Sequence, residues 1–458
     1  MPLLPVPPEL IKIAKAVAKC NGRSLLVGGA VRDHFMGSNI SKDIDVEIYG
    51  MSPEILESVL RNFGHLHAVG KSFGVLKLKT AGAEYDFSLP RSESKSGKGH
   101  RGFLVKTDSA MSYQKAASRR DFTVNSIGYD LLTQEVLDPF DGLADLKCKV
   151  LRHIGPSFAE DPLRVLRAMQ FSARLEFEIA PETIELCEEL DLAELSRERI
   201  FEEFRKLFLK AKRPSIGLEA AKKLGILRYF PELKALIGVP QDPEWHPEGD
   251  VWIHTLLVID EAAQLRKGDE KQDLELMFSA LCHDFGKPLT TKFLRGRWRS
   301  PAHDVKGVVP TEQFLRRMTD DRILIEEVTA LVKEHLRPVQ LFKERERINA
   351  GTIRRLALRV RIPELVLLAR ADYFGRTLSE NERTHFEAGD WLLDEAERMD
   401  VRNKAPRPLL LGRHLLALGV TPGPEMGLIL KQAFESQLNG DFQKEEDAIA
   451  WAKSYLSN

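Results

Sequence analysis

Alternation of apolar and polar residues predicts a small sheet in the first part of the chain. The apolar run at 25–27 is typical of a buried strand, and the glycine pair Gly28-Gly29 that follows it predicts a turn into a helix. Apolar residues alternate again over 44–48, and two further alternating runs within 73–89 predict a pair of strands. The first ~150 residues are therefore expected to mix helices and strands.

From about residue 160 the apolar residues recur at helical spacing. In the segments 163–171 and 200–208 their positions fit a period of about 3.6 residues, which places them on one face of a helix. Proline and glycine concentrate at 238–250 and 403–424, and this predicts boundaries there. We therefore expect an α+β protein in which the mixed part is followed by a mostly helical remainder.

Composition indicates a folded protein with a formal net charge of only −1. The chain has 458 residues, of which 43% are hydrophobic, and 67 Lys and Arg stand against 68 Asp and Glu. Disordered and fibrous classes are excluded, and any anionic partner has to be bound by a local patch. One basic stretch, 91–120, has eight basic and two acidic residues together with Ser and Gly, which predicts a mobile basic loop.

The cysteines and the N-terminal segment bear on the cellular compartment. The four cysteines are scattered without a CxxC pair, which argues against a disulfide scaffold, a zinc ribbon or a redox dithiol. The sequence has no basic segment followed by an apolar core at its N-terminus and no uninterrupted apolar stretch of about 18 residues. These features predict a cytoplasmic protein without membrane spans.

One cluster of residues near the N-terminus has the composition of a nucleotide and metal site. Gly28-Gly29 is followed by Arg32 and then by Lys42-Asp43-Ile44-Asp45. Residues i and i+2 of a strand share a face, so the two aspartates are expected side by side. Paired carboxylates suit Mg²⁺ with substrate phosphates, and glycines let backbone amides approach a triphosphate. An ordinary turn followed by a solvated strand edge is the alternative.

The same segment, LLVGGAVRDHFMGSNISKDIDVEIYG, resembles the first motif of the class II transfer-RNA nucleotidyltransferases and bacterial poly(A) polymerases of the polymerase-β superfamily. Further motifs follow in the family's order. RRDFTVN at 119–125, DPFDGLADL at 138–146, EDPLR at 160–164 and LSRERIFEEFRKLF at 195–208 are similar to those of the family. The resemblance covers nearly the whole chain.

The resemblance implies the catalytic metal site. Asp43 and Asp45 would hold two Mg²⁺ ions for phosphoryl transfer from a nucleotide to the 3′-hydroxyl of RNA. Asp86, in the strand YDFSLPR, matches a third acidic position of the family. Its alternative is a lone acid on the face of a strand.

The resemblance also implies which residues bind the nucleotide. Arg119 and Arg120 would contact phosphates and Asp121 a ribose hydroxyl, with a structural salt bridge as the alternative. Asp161 and Arg164, three apart on a predicted helix, would read the amine and ring nitrogen of C or A, with a surface ion pair as the alternative. The complete implied set is Gly28, Gly29, Arg32, Lys42, Arg119, Arg120, Asp121, Asn125, Asp161 and Arg164.

A second cluster lies in the helical part. HTLLVIDEAA, SALCHDFGKP, KEHLRP and ARADYFGR resemble the HD-superfamily phosphohydrolases. The resemblance implies His254, His283, Asp284 and Asp372 as metal ligands, with His303 and His335 as further ligands or phosphate contacts. Mixed nitrogen and oxygen ligands suit Ni²⁺ or Mn²⁺ as well as Mg²⁺. Isolated core or surface histidines are the alternative.

Four domains follow from the resemblance. It implies a polymerase-β-like head at 1–150, a helical neck with the base-recognition motif at 151–240, an HD domain at 241–400 and a helical tail at 401–458 that could contact tRNA.

The implied function is template-independent addition of C, C and A to the 3′ end of tRNA from CTP and ATP, with release of pyrophosphate. The HD domain would add a phosphatase or phosphodiesterase activity. Enzymes that add only A or only CC, and poly(A) polymerases, share these motifs and remain alternatives. The basic loop at 91–106, which CC-only enzymes tend to lack, favours addition of the terminal A. An HD phosphohydrolase with a vestigial head and a non-catalytic RNA-binding module are rivals from other classes. The oligomeric state is left open.

Overall fold

The fold is described from a computed structural model. It describes residues 4–37, 44–69, 75–95, 103–377 and 384–457. The chain divides into two compact units, Met1–Leu207 with Ile216–Tyr229, and Phe208–Ser215 with Phe230–Asn458.

The first unit contains the main sheet. Its apolar alternation produces strands whose inward side chains are buried, such as Leu25, Val46 and Phe87. Among the described residues the sheet has seven strands: β1 (Arg23–Val27), β2 (Ile44–Tyr49), β3 (His65–Val69), β4 (Val75–Lys79), β5 (Glu84–Ser88), β8 (Gly128–Asp130) and β9 (Val136–Leu137). The strands β6 (Arg91–Lys95) and β7 (Phe103–Thr107) form a separate hairpin.

The sheet is mixed, and its one parallel pair in the described part of the chain adjoins the predicted metal site. The strand order is β3-β4-β5-β2-β1-β8-β9. Strands β2 and β5 run parallel, with Asp45 paired to Asp86, whereas β2 and β1 run antiparallel, with Asp45 paired to Val27. The predicted strands at 25–27, 44–48 and 73–89 are therefore confirmed, and two predicted acidic residues lie on adjacent strands.

The prediction of a mobile loop at 91–120 was wrong for much of that segment. Strands β6 and β7 pair in antiparallel register from Arg91 with Thr107 to Lys95 with Phe103. The helix α4 (Tyr113–Ala117) follows, and the Ser112 side chain caps it. The prediction gave weight to Ser and Gly and overlooked the Phe-Leu-Val run at 103–105, whose residues favour strands. Residues 96–102 lie outside the described part.

Helices cover the sheet and continue beyond it. α1, for example, buries Leu10, Ile13 and Val17 on one face. The helices up to residue 234 are α1 (Pro8–Lys19), α2 (Gly29–Phe35), α3 (Pro53–Leu60), α4, α5 (Gly142–Cys148), α6 (Leu163–Leu175), α7 (Pro181–Glu189), α8 (Arg197–Lys210), α9 (Pro214–Lys223) and α10 (Pro231–Lys234).

The second unit is predominantly helical. Its core includes the fully buried rings of Trp252, Phe278 and Phe314. Its remaining helices are α11 (Val251–Gln264), α12 (Glu270–Cys282), α13 (Lys287–Thr290), α14 (His303–Lys306), α15 (Val308–Arg316), α16 (Arg322–Glu334), α17 (Arg337–Lys343), α18 (Ala350–Ala357), α19 (Ile362–Phe374), α20 (Glu387–Arg398), α21 (Gly412–Ala417), α22 (Pro424–Asn439) and α23 (Glu445–Ser457).

Short strands beyond residue 149 were not predicted. β10 (Val150–Leu151) pairs with β11 (Glu178–Ile179), and β12 (Lys292–Leu294) pairs with β13 (Arg297–Arg299) in a second hairpin. They are too short for a periodic signal. The predicted α+β class, with a mostly helical second part, is confirmed.

All four cysteines are free thiols, as the absence of CxxC pairs predicted. Among the described residues, none of the helices combines the length and apolar character needed to cross a bilayer.

Candidate functional site

The first site lies where β1 turns into α2. Gly28 has a φ of +74°, which favours glycine. A Cβ at this position would lie 3.5 Å from Asp45 Oδ2 and 3.6 Å from Arg120 Nη1, so the turn, the carboxylate and the guanidinium meet at one point. Asp86 lies beside Asp45 in the strand register, and its Oδ1 is 3.3 Å from Lys77 Nζ. The predicted Lys42 and Asp43 lie outside the described residues.

A buried glutamate, which the sequence reasoning missed, holds the two arginines of the RRD motif. Glu47 follows Asp45 by two positions on β2 and its side chain is 2% exposed. Its carboxylate lies 3.4 Å from Arg119 Nη2 and 3.6 Å from Arg120 Nη2, and it accepts a hydrogen bond of 2.7 Å from the Tyr49 hydroxyl. Arg119 also donates to the Arg91 carbonyl oxygen. Glu47 thus links the RRD motif to the strand that carries Asp45.

Three of the predicted nucleotide-binding residues are hydrogen-bonded to one another. Arg32 Nη1 donates to Asn125 Oδ1 at 2.6 Å, and Asn125 Nδ2 donates to Asp121 Oδ1 at 2.9 Å. Arg167, on α6, donates to Asp121 Oδ2 at 2.7 Å. Burial alone would raise the pKa of Asp121, but the Arg167 charge and the hydrogen bond from Asn125 lower it by more. The pKa of Asp121 is therefore below its usual value. For Asp121 this arrangement favours the structural salt bridge over a free ribose contact.

The prediction that Asp161 and Arg164 share a helix face was wrong. Pro162 disfavours helical backbone in the residue before it, so Asp161 is extended, with φ −125° and ψ 100°, and α6 begins at Leu163. Asp161 Oδ2 accepts from Arg199 Nη2 at 2.8 Å. Arg164 donates to the carbonyl oxygens of Ser157 and Arg119.

Arg199 and Arg167 were therefore missed as partners of the motif aspartates. Arg199 belongs to the segment LSRERIFEEFRKLF, which resembles a motif of the family. No contact of Arg199 was predicted from the sequence. Both arginines lie on helices close to Asp161 or Asp121 in space and distant in sequence.

The second site lies in the helical unit and brings all four predicted HD ligands together. His254 is on α11, His283-Asp284 directly follows α12, and Asp372 is on α19. His254 Nε2 is 3.1 Å from Asp372 Oδ1 and 3.9 Å from Asp284 Oδ2, and His283 Nε2 is 3.2 Å from Asp284 Oδ2. All four residues are buried.

The two additional predicted histidines complete a second group around Asp284. The ligating atoms of Asp284, His303 and His335 lie within 4.8 Å of one another, as do those of His254, His283 and Asp372. Burial lowers the pKa of His335 to about 4, so this imidazole is neutral at neutral pH. Burial raises the pKa of Asp284, but His283 and Lys287 lower it more strongly, to well below its usual range.

The donor atoms fit a divalent metal. His283, His303 and His335 each use Nδ1 on a backbone carbonyl oxygen, of Ala280, Ser300 and Val332 respectively. This leaves each Nε2 lone pair directed at the cluster. His283 Nε2 and Asp284 Oδ1 are buried and form no hydrogen bond within the described part of the chain. Asp284 Oδ2 is also buried, with the Lys287 ammonium 2.7 Å away. Buried polar atoms of this kind are typical of a metal site.

Residues from the segment 238–250 were missed because proline and glycine marked it as a boundary. Glu248 Oε1 accepts hydrogen bonds from His246 Nδ1 at 2.9 Å and from His254 Nδ1 at 2.8 Å. Gln241 accepts from Lys287 Nζ at 2.7 Å, and the same ammonium lies 2.7 Å from Asp284 Oδ2. The signal available in the sequence was the group of ionisable residues in PEWHPEGD.

A cavity of about 980 Å³ opens beside this cluster. Asp284, His303, His335 and Asp372 form part of its wall. Its volume suits a ligand the size of a nucleotide.

Family models match both sites. The poly A polymerase head domain matches residues 24–152, a probable RNA- and SrmB-binding site of polymerase A matches 176–237, and the HD domain matches 251–377. The first match contains Asp45 and Asp86, and the third contains the histidine cluster. The fold and the sites thus define a nucleotidyltransferase that also has an HD domain.

Curated relatives identify the family. The chain is 39% identical to the multifunctional CCA protein of Xylella fastidiosa over 370 residues, which cover 77% of this chain and 84% of that protein. It is 39% identical to that of Xanthomonas campestris over 371 residues, which cover 78% and 86%. The chain belongs to the multifunctional CCA protein family.

Solved structures show the same fold. The chain is similar to the Bacillus stearothermophilus CCA-adding enzyme in complex with CTP, with a TM-score of 0.67, 20% identity and coverage of 99% of this chain and 98% of that chain. It is also similar to the Thermotoga maritima CCA-adding enzyme complexed with tRNA, with a TM-score of 0.58, 20% identity and coverage of 98% and 96%.

Proposed function

We propose that the protein adds C, C and A to the 3′ end of tRNA, using CTP and ATP and releasing pyrophosphate. The observation that carries this proposal is the meeting of Gly28, Asp45 and Arg120 at the end of β1, beside Asp86, in a chain of the multifunctional CCA protein family. A glycine turn, carboxylates and guanidinium groups are the parts that nucleotidyl transfer from a triphosphate requires.

The head residues divide this work. Asp45 and Asp86, with Asp43, would hold Mg²⁺, which when bound neutralises the triphosphate and lowers the pKa of the attacking 3′-hydroxyl. Arg119 and Arg120 contact the phosphates, and Glu47 holds both guanidinium groups in position. Asp121 and Asn125 fix the orientation of Arg32 and Arg167 through their shared hydrogen bonds. Lys42 joins the phosphate contacts by its place in the motif.

Base selection is assigned to the neck. Asp161 and Arg164 present a carboxylate and a guanidinium group, which match the amine and acceptor nitrogen shared by C and A and oppose the reversed polarity of U and G. Arg199 orients Asp161 through their 2.8 Å ion pair.

Replacing Asp161 by Asn, or Arg164 by Gln, is expected to lower the preference for C and A over U and G by roughly 100-fold. The reason is that a charged group left unpaired by U or G no longer opposes these bases. Incorporation of each of the four nucleotides into tRNA, compared as kcat/KM, measures this change. Thermal melting controls for folding. Unchanged discrimination in both folded variants would remove the pair from the template role.

Replacing Glu47 by Gln is expected to raise the KM for CTP and ATP by about tenfold, the equivalent of one charged hydrogen bond, while the KM for tRNA stays the same. The charge that holds Arg119 and Arg120 is lost, although the shape of the side chain is kept. Tyr49→Phe is the matched control, because it removes only the phenol that donates to the same carboxylate. Equal nucleotide KM values in the two variants would contradict the positioning role.

A second activity is favoured by the buried donor atoms of His283 and Asp284. We assign His254, His283, Asp284 and Asp372 to a divalent metal, with His303 and His335 beside it, and the HD cluster to hydrolysis of a phosphomonoester or a 2′,3′-cyclic phosphodiester. The mixed nitrogen and oxygen ligands suit Ni²⁺ or Mn²⁺ as well as Mg²⁺. Lys287 and Arg376 line the cavity and supply positive charge for a phosphate.

The four-part division into head, neck, HD domain and tail at 1–150, 151–240, 241–400 and 401–458 remains our proposal for the domains. In the tail, α21, α22 and α23 pack around Leu415, Ile429 and Phe442. We propose that the helical tail that this core stabilises contacts tRNA.

The experiment that separates full CCA addition from its relatives uses three tRNA substrates. They end at the discriminator base, at C and at CC, and each is offered CTP, ATP or both. With CTP alone we expect two C residues on the first substrate and one on the second, with ATP alone a single A on the third, and with both nucleotides an end in CCA on all three. Addition of A to the third substrate without addition of C to the first two would identify an A-only enzyme, a stop after CC with both nucleotides a CC-only enzyme, and a long A tail a poly(A) polymerase.

A further inference from the structure

The hairpin formed by β12 and β13 projects its side chains into solvent. Every residue from Lys292 to Arg299 is exposed. Arg295 and Gly296 form the two-residue turn, with φ values of 52° and 78°, and Phe293 pairs with Trp298 across the strands. Packing of the core does not explain these side chains.

The hairpin is strongly basic. Its eight residues, KFLRGRWR, contain four cations and no acid. Arg297 pairs with Glu244 and lies 3.9 Å from Asp242. Lys292, Arg295 and Arg299 make no ion pair in the part of the chain that the structure describes. These three charges are therefore available to an anionic ligand.

Two aromatic rings lie between the cations. Phe293 is 59% and Trp298 37% exposed, and their ring centroids are 5.2 Å apart at 68°. Exposed apolar side chains that cluster on a protein surface are typical of interaction sites. Aromatic rings interleaved with cations are typical of surfaces that bind single-stranded nucleic acid, where bases stack and phosphates pair with the cations.

The hairpin reaches the HD cavity. Arg297, Trp298, Arg299 and Ser300 line the same cavity as Asp284 and Asp372. The carbonyl oxygen of Ser300 accepts a hydrogen bond from His303 Nδ1 at 2.8 Å, which ties the end of the hairpin to the histidine cluster. A strand bound along the hairpin would thus end beside the proposed metal ligands.

We propose that the β12–β13 hairpin binds single-stranded RNA, stacking bases on Phe293 and Trp298 and pairing phosphates with Lys292, Arg295 and Arg299. The terminal phosphoester of that strand then enters the HD cavity. This deepens the proposed hydrolase function and rests on it for its second half. In that step the oxygen of one water forms a new bond to phosphorus, the bond from phosphorus to a ribose oxygen breaks, and the released ribose oxygen takes the proton that the water loses. RNA ends, rather than free nucleotides, are the preferred substrates.

Binding is tested on the full chain with a 12-nucleotide oligoadenylate labelled with fluorescein. The variant is K292Q/R295Q/R299Q. The matched control, K267Q/R322Q/K333Q, removes the same charge from exposed residues of the same unit that do not line the cavity. We expect affinity to fall by about tenfold or more only in the hairpin variant, and the slope of log Kd against log salt to fall by about 2. Equal affinity in the two variants overturns the proposal.

A 4-thiouridine at the 3′ end of the oligonucleotide locates the contact by photocrosslinking. We expect crosslinks to residues 289–303, and their loss in Trp298→Ala. Crosslinks confined to the nucleotidyltransferase head, or to another face of the second unit, overturn the proposal.

Hydrolysis provides an independent measurement. The kcat/KM for a 12-mer with a 2′,3′-cyclic phosphate, divided by that for a mononucleotide 2′,3′-cyclic phosphate, is expected to fall about tenfold in the hairpin variant. An unchanged ratio contradicts delivery of RNA to the HD site. If the wild type hydrolyses neither substrate with any metal, the proposed hydrolase function fails, whereas binding and crosslinking still decide whether the hairpin binds RNA.

Discussion

Replacing Asp45 by Ala is expected to reduce nucleotide addition by on the order of a thousandfold or more, with tRNA affinity within about twofold of wild type. The carboxylate lies at the point where the Gly28 turn, Asp86 and Arg120 meet, so its loss removes a metal ligand from the reacting centre. RNA is bound mainly by basic side chains, which this substitution leaves intact. Asp43→Ala is expected to behave in the same way.

The measurement is single-turnover addition of labelled CTP to tRNA, paired with a filter-binding titration of the same tRNA. Glu84→Gln is the matched control, because it removes one acid from the neighbouring strand, where Glu84 lies 3.6 Å from Lys77. It should retain near-normal turnover. Near-normal turnover in Asp45→Ala would mean that the proposed metal site is wrong.

The second large effect is expected in the HD cluster. The double variant His283→Ala, Asp284→Ala should lose phosphoester hydrolysis entirely and should lose metal affinity by at least about 100-fold, because it deletes one buried donor residue from each of the two ligand groups. CCA addition should stay near that of the wild type. Asp45→Ala should show the opposite pattern and serves as the reciprocal control.

Three measurements decide this prediction. Mn²⁺ titration of metal-stripped protein reports binding without reference to activity, both activities are assayed in each variant, and thermal melting reports folding. A well-folded double variant that also lost CCA addition would show that the two sites are coupled. Unchanged Mn²⁺ affinity would exclude His283 and Asp284 as ligands.

The sequence predicted elements whose signal is local. The strands at 25–27 and 44–48 were visible as alternation, and the glycine pair between strand and helix was visible as a turn signal. The pairing of β2 with β5, which sets Asp45 beside Asp86, was not predicted, because periodicity carries no information on strand order. The family resemblance implied only that Asp86 belongs to the same metal site.

The errors arose where a neighbour in space, or a single proline, decided the outcome. Asp161 does not lie on the predicted helix because Pro162 holds it extended, and Arg199, 38 positions away, became its partner. In the sequence, Glu47 is one more polar residue of an alternating strand. Its role is evident only from the structure, where it contacts Arg119, 72 positions away.

The most direct test of the central claim is the sequence of the product formed by the wild-type protein. A tRNA that ends at its discriminator base is incubated with all four nucleoside triphosphates at equal concentration and Mg²⁺, and its 3′ ends are sequenced. The account predicts that extended molecules end in CCA, without U or G and without further extension. Homopolymeric A tails, ends that stop at CC, or unextended tRNA would contradict it.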